Sequence, residues 1–130
     1  MYGVIIAAHG GYSTGIYSGL KLVCGEIENL RVVDYLENQT YEQLDANLKK
    51  AYEECNAYEG VIFIADLLGG IPFSRCALNF GHIDNVRVLA GLNFSMLYSA
   101  AVIEPSGDMD KDIENILNIG KAGITVYKAN

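Results

Sequence analysis

Four short apolar runs, each followed by a stretch with helical spacing, restrict this chain to a narrow set of folds. The runs are "YGVIIAA" from Tyr2, "LRVVDYL" from Leu30, "VIFIADLL" from Val61 and "NVRVLAGL" from Asn85. The first and third are continuous and rich in β-branched residues, the pattern of strands buried on both faces. The second is weaker, because Arg31 and Asp34 interrupt it.

Between the runs lie amphipathic segments. From Ser13 to Cys24, Ile16, Leu20 and Val23 recur at helical spacing, and Gly25 suits a helix C-cap. From Thr40 to Gly60 the chain opens with a capping box, Thr40 with Gln43, and carries Leu44, Leu48, Ala51 and Cys55 on one stripe. Pro72 opens a third helix, since its missing N–H costs nothing in a first turn. "FSMLYSAAVI" and "DMDKDIENILNIGKAG" give a fourth and a fifth, the last with Ile113, Ile116, Leu117 and Gly120 on one side. Strands alternating with helices imply right-handed βαβ units. The expected fold is α/β, a single domain over residues 1–130 with a mostly parallel four-stranded sheet and helices on both faces. "ITVYK", from Ile124, reads as an additional C-terminal strand. It pairs in its own subunit, with another subunit, or antiparallel at an edge, and the sequence leaves these open.

Composition bounds the function. With 130 residues, 51% hydrophobic, 19% charged and two prolines, the chain has enough apolar surface to offset the entropy of ordering one core. A net charge of −7 and only nine Lys and Arg argue against nucleic acid as a partner and favour a basic protein. No apolar run approaches the ~20 residues of a membrane helix, and "MYGVIIAAHGG" lacks the basic start of a secretion signal. A cytoplasmic protein is expected. Cys24, Cys55 and Cys76 are odd in number and widely spaced, which implies reduced, mostly buried thiols rather than disulfides or a zinc site. No dinucleotide or P-loop motif and no metal-ligand set occurs, so no cofactor or metal is expected.

In open parallel sheets, ligands bind at the carboxyl ends of strands where the strand order reverses. Two loops there share a plan. "AAHGGYSTG" and "ADLLGGIPFS" each place an ionisable residue at a strand end, then a glycine pair, then a helix start. The glycines Gly10, Gly11, Gly69 and Gly70 permit close backbone approach and positive φ. The helix starts aim unpaired N–H groups and a positive dipole end at one spot, which suits a phosphate.

His9, in its neutral form, can serve as a nucleophile. Asp66, costly at a strand end without a partner, would accept from Nδ1–H of His9 and leave Nε2 free to attack. On residues alone, a lone histidine such as His9 at a strand end is more often a structural hydrogen-bonding group than a nucleophile, and Asp66 reads equally as a cap or turn residue. Tyr12, Leu67, Leu68 and Phe94 are either core packing or an apolar rim around His9. His82 reads as a solvated loop residue. The same loops hold no Ser or Cys nucleophile with an oxyanion arrangement, which sets a hydrolase aside.

"HGGYSTG" and "DLLGGIPF" together resemble the enzyme IIA domain of the mannose family of bacterial sugar phosphotransferase systems. The family pattern is a strand ending in His-Gly, an acidic residue about 57 positions on, and a Gly-Gly-[Ser/Thr]-Pro-Phe turn opening a helix. His9, Gly10, Asp66, Gly69, Gly70, Pro72 and Phe73 match it, and "VLAGLNFSMLYSA" is similar to the family's fourth-strand segment.

The resemblance implies that His9 takes a phosphoryl group from the histidine-containing phosphocarrier protein and passes it to enzyme IIB for sugar uptake. Asp66 would orient His9, while Gly10, Gly69, Gly70 and Ile71 bind phosphate through backbone N–H, aided by Ser13 or Thr14. It also implies a homodimer with "ITVYK" as the exchanged strand, and contact with the membrane only through the IIC and IID components. Ile71 stands where the family has a hydroxyl. A lost bond of that kind to a charged group is worth about 1.5–3 kcal/mol. A phosphodonor subunit of a dihydroxyacetone kinase, or a regulatory homologue that has lost transfer, are the rival readings.

Overall fold

The computed structural model describes residues 1–130. In chain order it contains β1 (Gly3–His9), α1 (Tyr12–Cys24), β2 (Leu30–Tyr35), α2 (Tyr41–Cys55), β3 (Val61–Ala65), α3 (Ile71–Phe80), β4 (Val86–Leu89), α4 (Phe94–Val102) and α5 (Met109–Ala122). The four strands form one sheet in the order β2-β1-β3-β4, and every pairing is parallel.

Alternation along the buried strands divides the core into two layers. Val4, Ile6, Ile62 and Ile64 point to one side, where Leu20 of α1, Leu97 of α4 and Ile116 of α5 cover them. Ile5, Ala7, Val61 and Phe63 point to the other, against Leu44 and Leu48 of α2 and Cys76 and Phe80 of α3. Full burial of a large aliphatic side chain contributes about 1.5–3 kcal/mol, so the central strands anchor both layers. The single carboxylate in the interior is satisfied. Asp112, only 2% exposed, accepts from the Tyr2 hydroxyl and the Ser106 N–H.

Local signals fix the helix starts. Thr40 Oγ1 accepts from the Gln43 N–H at 3.1 Å and Gln43 Oε1 from the Thr40 N–H at 2.9 Å, the reciprocal capping box. α3 begins one residue before Pro72, at Ile71.

Two expectations need correction, the end of α2 and the burial of Val23, and the alternatives left open for the tail are narrowed. α2 ends at Cys55 rather than running to Gly60, because the Tyr58 N–H turns back onto the Cys55 carbonyl and Gly60 feeds β3. Val23, placed on the buried stripe of α1, is 66% exposed, and Cys24 beside it is the exposed member of the three free thiols. "ITVYK" forms no strand in its own subunit, where Ile124, Val126 and Tyr127 stand 75%, 70% and 88% exposed. An extended segment gains ladder bonds only against a sheet edge, and the tail reaches neither β2 nor β4 of its own sheet. No helix is long and apolar enough to cross a membrane.

Candidate phosphoryl-transfer site

From β1 the chain moves outward to β2, then crosses back over β1 to β3 and on to β4. The strand order therefore reverses between β1 and β3. The helices that follow these two strands, α1 and α3, pack on opposite faces and open a crevice at their carboxyl ends. His9 ends β1, and Asp66 is the first residue after β3.

The β1–β3 ladder stops at Ala7 opposite Ala65. Beyond it, the Asp66 side chain does what the next rung would do. Its Oδ2 accepts from the His9 backbone N–H at 3.1 Å and from His9 Nδ1 at 2.9 Å. A carboxylate only accepts, so this contact puts the imidazole proton on Nδ1 and leaves a lone pair on Nε2. Burial pushes the Asp66 carboxyl up, but the ring and backbone bonds from His9 outweigh it and hold the group below the usual carboxylate range. The side chain of His9 is 43% exposed and that of Asp66 14%, so the ring meets solvent while its partner is shielded.

Two further neighbours confine the ring. A Cβ on Gly70 would lie 2.8 Å from His9 Cε1, so only glycine lets the second loop pass this close. On the other side stands Tyr35, with ring centroids 6.1 Å apart and planes at 69°.

The two glycine-bearing loops differ in what their N–H groups do. Gly10, at φ +58°, donates to the Tyr35 carbonyl at 2.8 Å. Thr14 donates both its N–H, at 3.1 Å, and its hydroxyl to Asp34 at the end of β2, so a carboxylate already caps α1. Ser13 is fully buried with its Oγ unpartnered, as is Oδ1 of Asp66. In the second loop Gly70 donates to the Leu67 carbonyl at 3.0 Å, while Gly69 (φ +80°), Ile71 and Phe73 donate to no backbone carbonyl. α3 carries no side-chain cap and no acidic residue in its first turn. The N–H groups of Gly10 and Gly70 and the Thr14 hydroxyl, expected to face phosphate, are thus already engaged.

Ile71 packs its side chain against the Phe63 layer of the core and leaves its N–H at the open end of α3. Tyr12, Leu67, Leu68 and Phe94 are 46%, 58%, 74% and 40% exposed, so none is core packing. They do not share one hollow. Leu67 and Leu68 line a groove of about 690 Å³ along the free edge of β4, with Phe73, Ile113 and Leu117. Phe94 lines a separate hollow with Val23, Tyr98 and Ile119. Tyr12 spans toward β4, its hydroxyl donating to the Leu92 carbonyl at 3.0 Å. His82 lies exposed in the loop between α3 and β4.

From sequence, Asp34 reads only as an interruption of its strand and Tyr35 as half-buried packing, and neither is placed at the site. Their signal was present, since Asp34 interrupts an apolar strand near its carboxyl end just as Asp66 does.

Comparison with known proteins follows the same geometry. A profile of the family described as "PTS system fructose IIA component" matches residues 3–117. The "PTS system mannose-specific EIIAB component" of Escherichia coli K12 is 23% identical over 127 residues, covering 97% of this chain and 39% of that protein. The "PTS system fructose-specific EIIA component" of Bacillus subtilis 168 is 25% identical over 97 residues, 75% of this chain and 66% of that one. The chain therefore spans about two fifths of the mannose-specific relative. Among solved structures, the phosphotransferase system component EIIA from Streptococcus agalactiae superposes with a TM-score of 0.81 at 29% identity, covering 97% of both chains. The mannose/sorbose specific IIA subunit from Enterococcus faecalis superposes at 0.85 and 24% identity, over 99% of this chain and 96% of that one, and supports the fold.

Proposed function

Since the chain belongs to the family of fructose- and mannose-type IIA components of the sugar phosphotransferase system, we propose that His9 is its phosphoryl carrier. The observation that carries this reading is the 2.9 Å contact between His9 Nδ1 and Asp66 with Nε2 left free. The donor is a phosphohistidine of the phosphocarrier protein. The Nε2 lone pair attacks phosphorus in line, a new N–P bond forms, and the donor's N–P bond breaks with its electron pair returning to the donor ring. His9 becomes cationic at that moment, and the Asp66 carboxylate offsets the charge without itself being protonated. Onward transfer to enzyme IIB is the same step run against a new nucleophile.

The open end of α3 supplies the anion cradle. The N–H groups of Gly69, Ile71 and Phe73 lack backbone acceptors, and the helix dipole adds to them. Ile71 then serves through its backbone, which supports transfer without a side-chain hydroxyl. Ser13, whose buried Oγ has no partner, is the one hydroxyl on the facing loop still free to turn toward the phosphoryl group. Exposed Tyr12, Leu67, Leu68 and Phe94 provide apolar contact for the carrier and IIB.

The protein acts in the cytoplasm, meeting the membrane only through the IIC and IID components. It works as a homodimer in which the apolar tail from Ile124 to Lys128 adds to the β4 edge of a second copy. The part of the groove along that edge lined by Val88, Ile113 and Leu117 suits Ile124 and Val126 better than the polar β2 edge does.

Incubation with the phosphorylated carrier protein, followed by mass spectrometry before and after mild acid, tests the function. One acid-labile phosphoryl group that disappears in His9→Ala is expected. No label on the wild type, or an undiminished label on His9→Ala, contradicts it.

A further inference from the structure

His9 is nearly half exposed, yet three of its sides are occupied, and one of the three contacts takes no part in the chemistry of transfer. Asp66 holds Nδ1 at 2.9 Å, and the bare backbone of Gly70 lies against Cε1. The remaining wall is Tyr35. It is placed by two independent backbone features: His9 and Tyr35 are partners in the β1–β2 register, and the Gly10 N–H closes onto the Tyr35 carbonyl at 2.8 Å. The Tyr35 ring then meets the imidazole edge to face, 6.1 Å between centroids at 69°, a favoured arrangement for aromatic pairs. Below, the same ring packs against the core layer of Phe63, so it is itself restrained.

We propose that Tyr35 is a positioning residue for phosphoryl transfer, a wall that stops the His9 ring from swinging away from Asp66 and keeps Nε2 aimed into the crevice. The proposal rests on the phosphoryl-carrier reading of His9. A histidine side chain has two free torsions, and a single hydrogen bond at Nδ1 leaves the ring able to pivot about it. Asp66 sets which nitrogen carries the proton; Tyr35 and Gly70 set where the other nitrogen points. Transfer between two proteins depends steeply on that direction, because attack must be in line with the departing bond. The contact uses the ring of Tyr35 and not its hydroxyl, so phenylalanine serves equally and an aliphatic side chain does not.

The experiment compares Tyr35→Phe and Tyr35→Leu with wild type, leucine being chosen to fill the core contact without an aromatic edge. Two readouts are taken alongside a thermal melt. Long-range 1H–15N NMR of the unphosphorylated protein reports the tautomer and ring mobility of His9, and single-turnover labelling from the phosphorylated carrier reports the rate. Wild type and Tyr35→Phe are expected to show one sharp Nδ1–H tautomer and equal rates. Tyr35→Leu is expected to melt as wild type does but to show exchange-broadened His9 nitrogens and a rate lower by about threefold to tenfold, the span of an aromatic pair contribution. An unbroadened ring and an unchanged rate in Tyr35→Leu overturn the proposal, as does a Tyr35→Phe variant that falls with it. If wild type takes no phosphoryl group, the carrier reading fails by itself, and the NMR comparison still decides whether Tyr35 holds the ring.

Discussion

The helices α1 and α3 both begin beside His9, each after a glycine pair, yet their N-termini are in opposite electrostatic states. α1 is closed, its Thr14 N–H and hydroxyl bound to the carboxylate of Asp34. α3 is open, with glycine at its cap, proline in its first turn and no acidic residue in that turn. An anion arriving in the crevice meets a neutralised dipole on one side and a free one on the other. Two loops alike in sequence therefore differ in what they bring: the first carries the imidazole of His9, and the second brings the carboxylate that holds it, the glycine close against the ring and the free N–H groups.

Substitutions that exchange those roles test the division. The largest effect is expected for Asp66→Asn, which keeps the shape but removes the charge and permits the wrong tautomer. Labelling of His9 should slow by about 10²–10⁴-fold, the scale seen when a histidine loses its orienting carboxylate. A loss under tenfold would mean the second loop does not set the ring.

The glycine pairs come next. Gly70→Ala drives a Cβ to 2.8 Å from His9 Cε1, whereas a Cβ on Gly11 meets nothing within 4 Å. A displacement of about 1 Å costs on the order of a hundredfold in rate, so Gly70→Ala should slow labelling strongly and Gly11→Ala little. Equal effects at the two positions would erase the distinction between the loops.

Ile71→Ser restores a hydroxyl at the open helix end. The rate should rise by up to about tenfold, while the loss of core contact lowers stability by about 1 kcal/mol in denaturant unfolding. A fall in rate at intact fold would show that backbone N–H groups are not the cradle. Asp34→Ala should cost about 1 kcal/mol of stability, the usual value of a lost cap, and affect labelling less than Asp66→Asn.

The smallest effect concerns acid. Asp66 is held below its ordinary value, so its contribution to stability is complete above about pH 4 and is lost as pH falls through the folded value. Wild type should lose stability over that acidic window more steeply than Asp66→Asn does, and parallel profiles would contradict the shift.

Much of this was readable from local pattern. Continuous β-branched runs and the Thr40–Gln43 box depend on neighbours within a few residues, and they mark the strands and α2 correctly. His9 and Asp66 stood out because an ionisable group at the end of a buried strand needs a partner. Asp34 obeys the same rule, but its partner Thr14 lies on another element, so in sequence it reads only as a flaw in β2. The role of Gly70 depends on a ring 61 residues away in the chain, and the tail's lack of a ladder partner in its own sheet depends on which edges lie within its reach. Such facts follow from topology.

The central claim is that Asp66 holds Nδ1 so that Nε2 carries phosphate, and long-range 1H–15N NMR on the phosphorylated protein tests it most directly. Phosphorus on Nε2 of His9, with the proton retained on Nδ1, is the expected result. Phosphorus on Nδ1, which would require the bond to Asp66 to break, would contradict it.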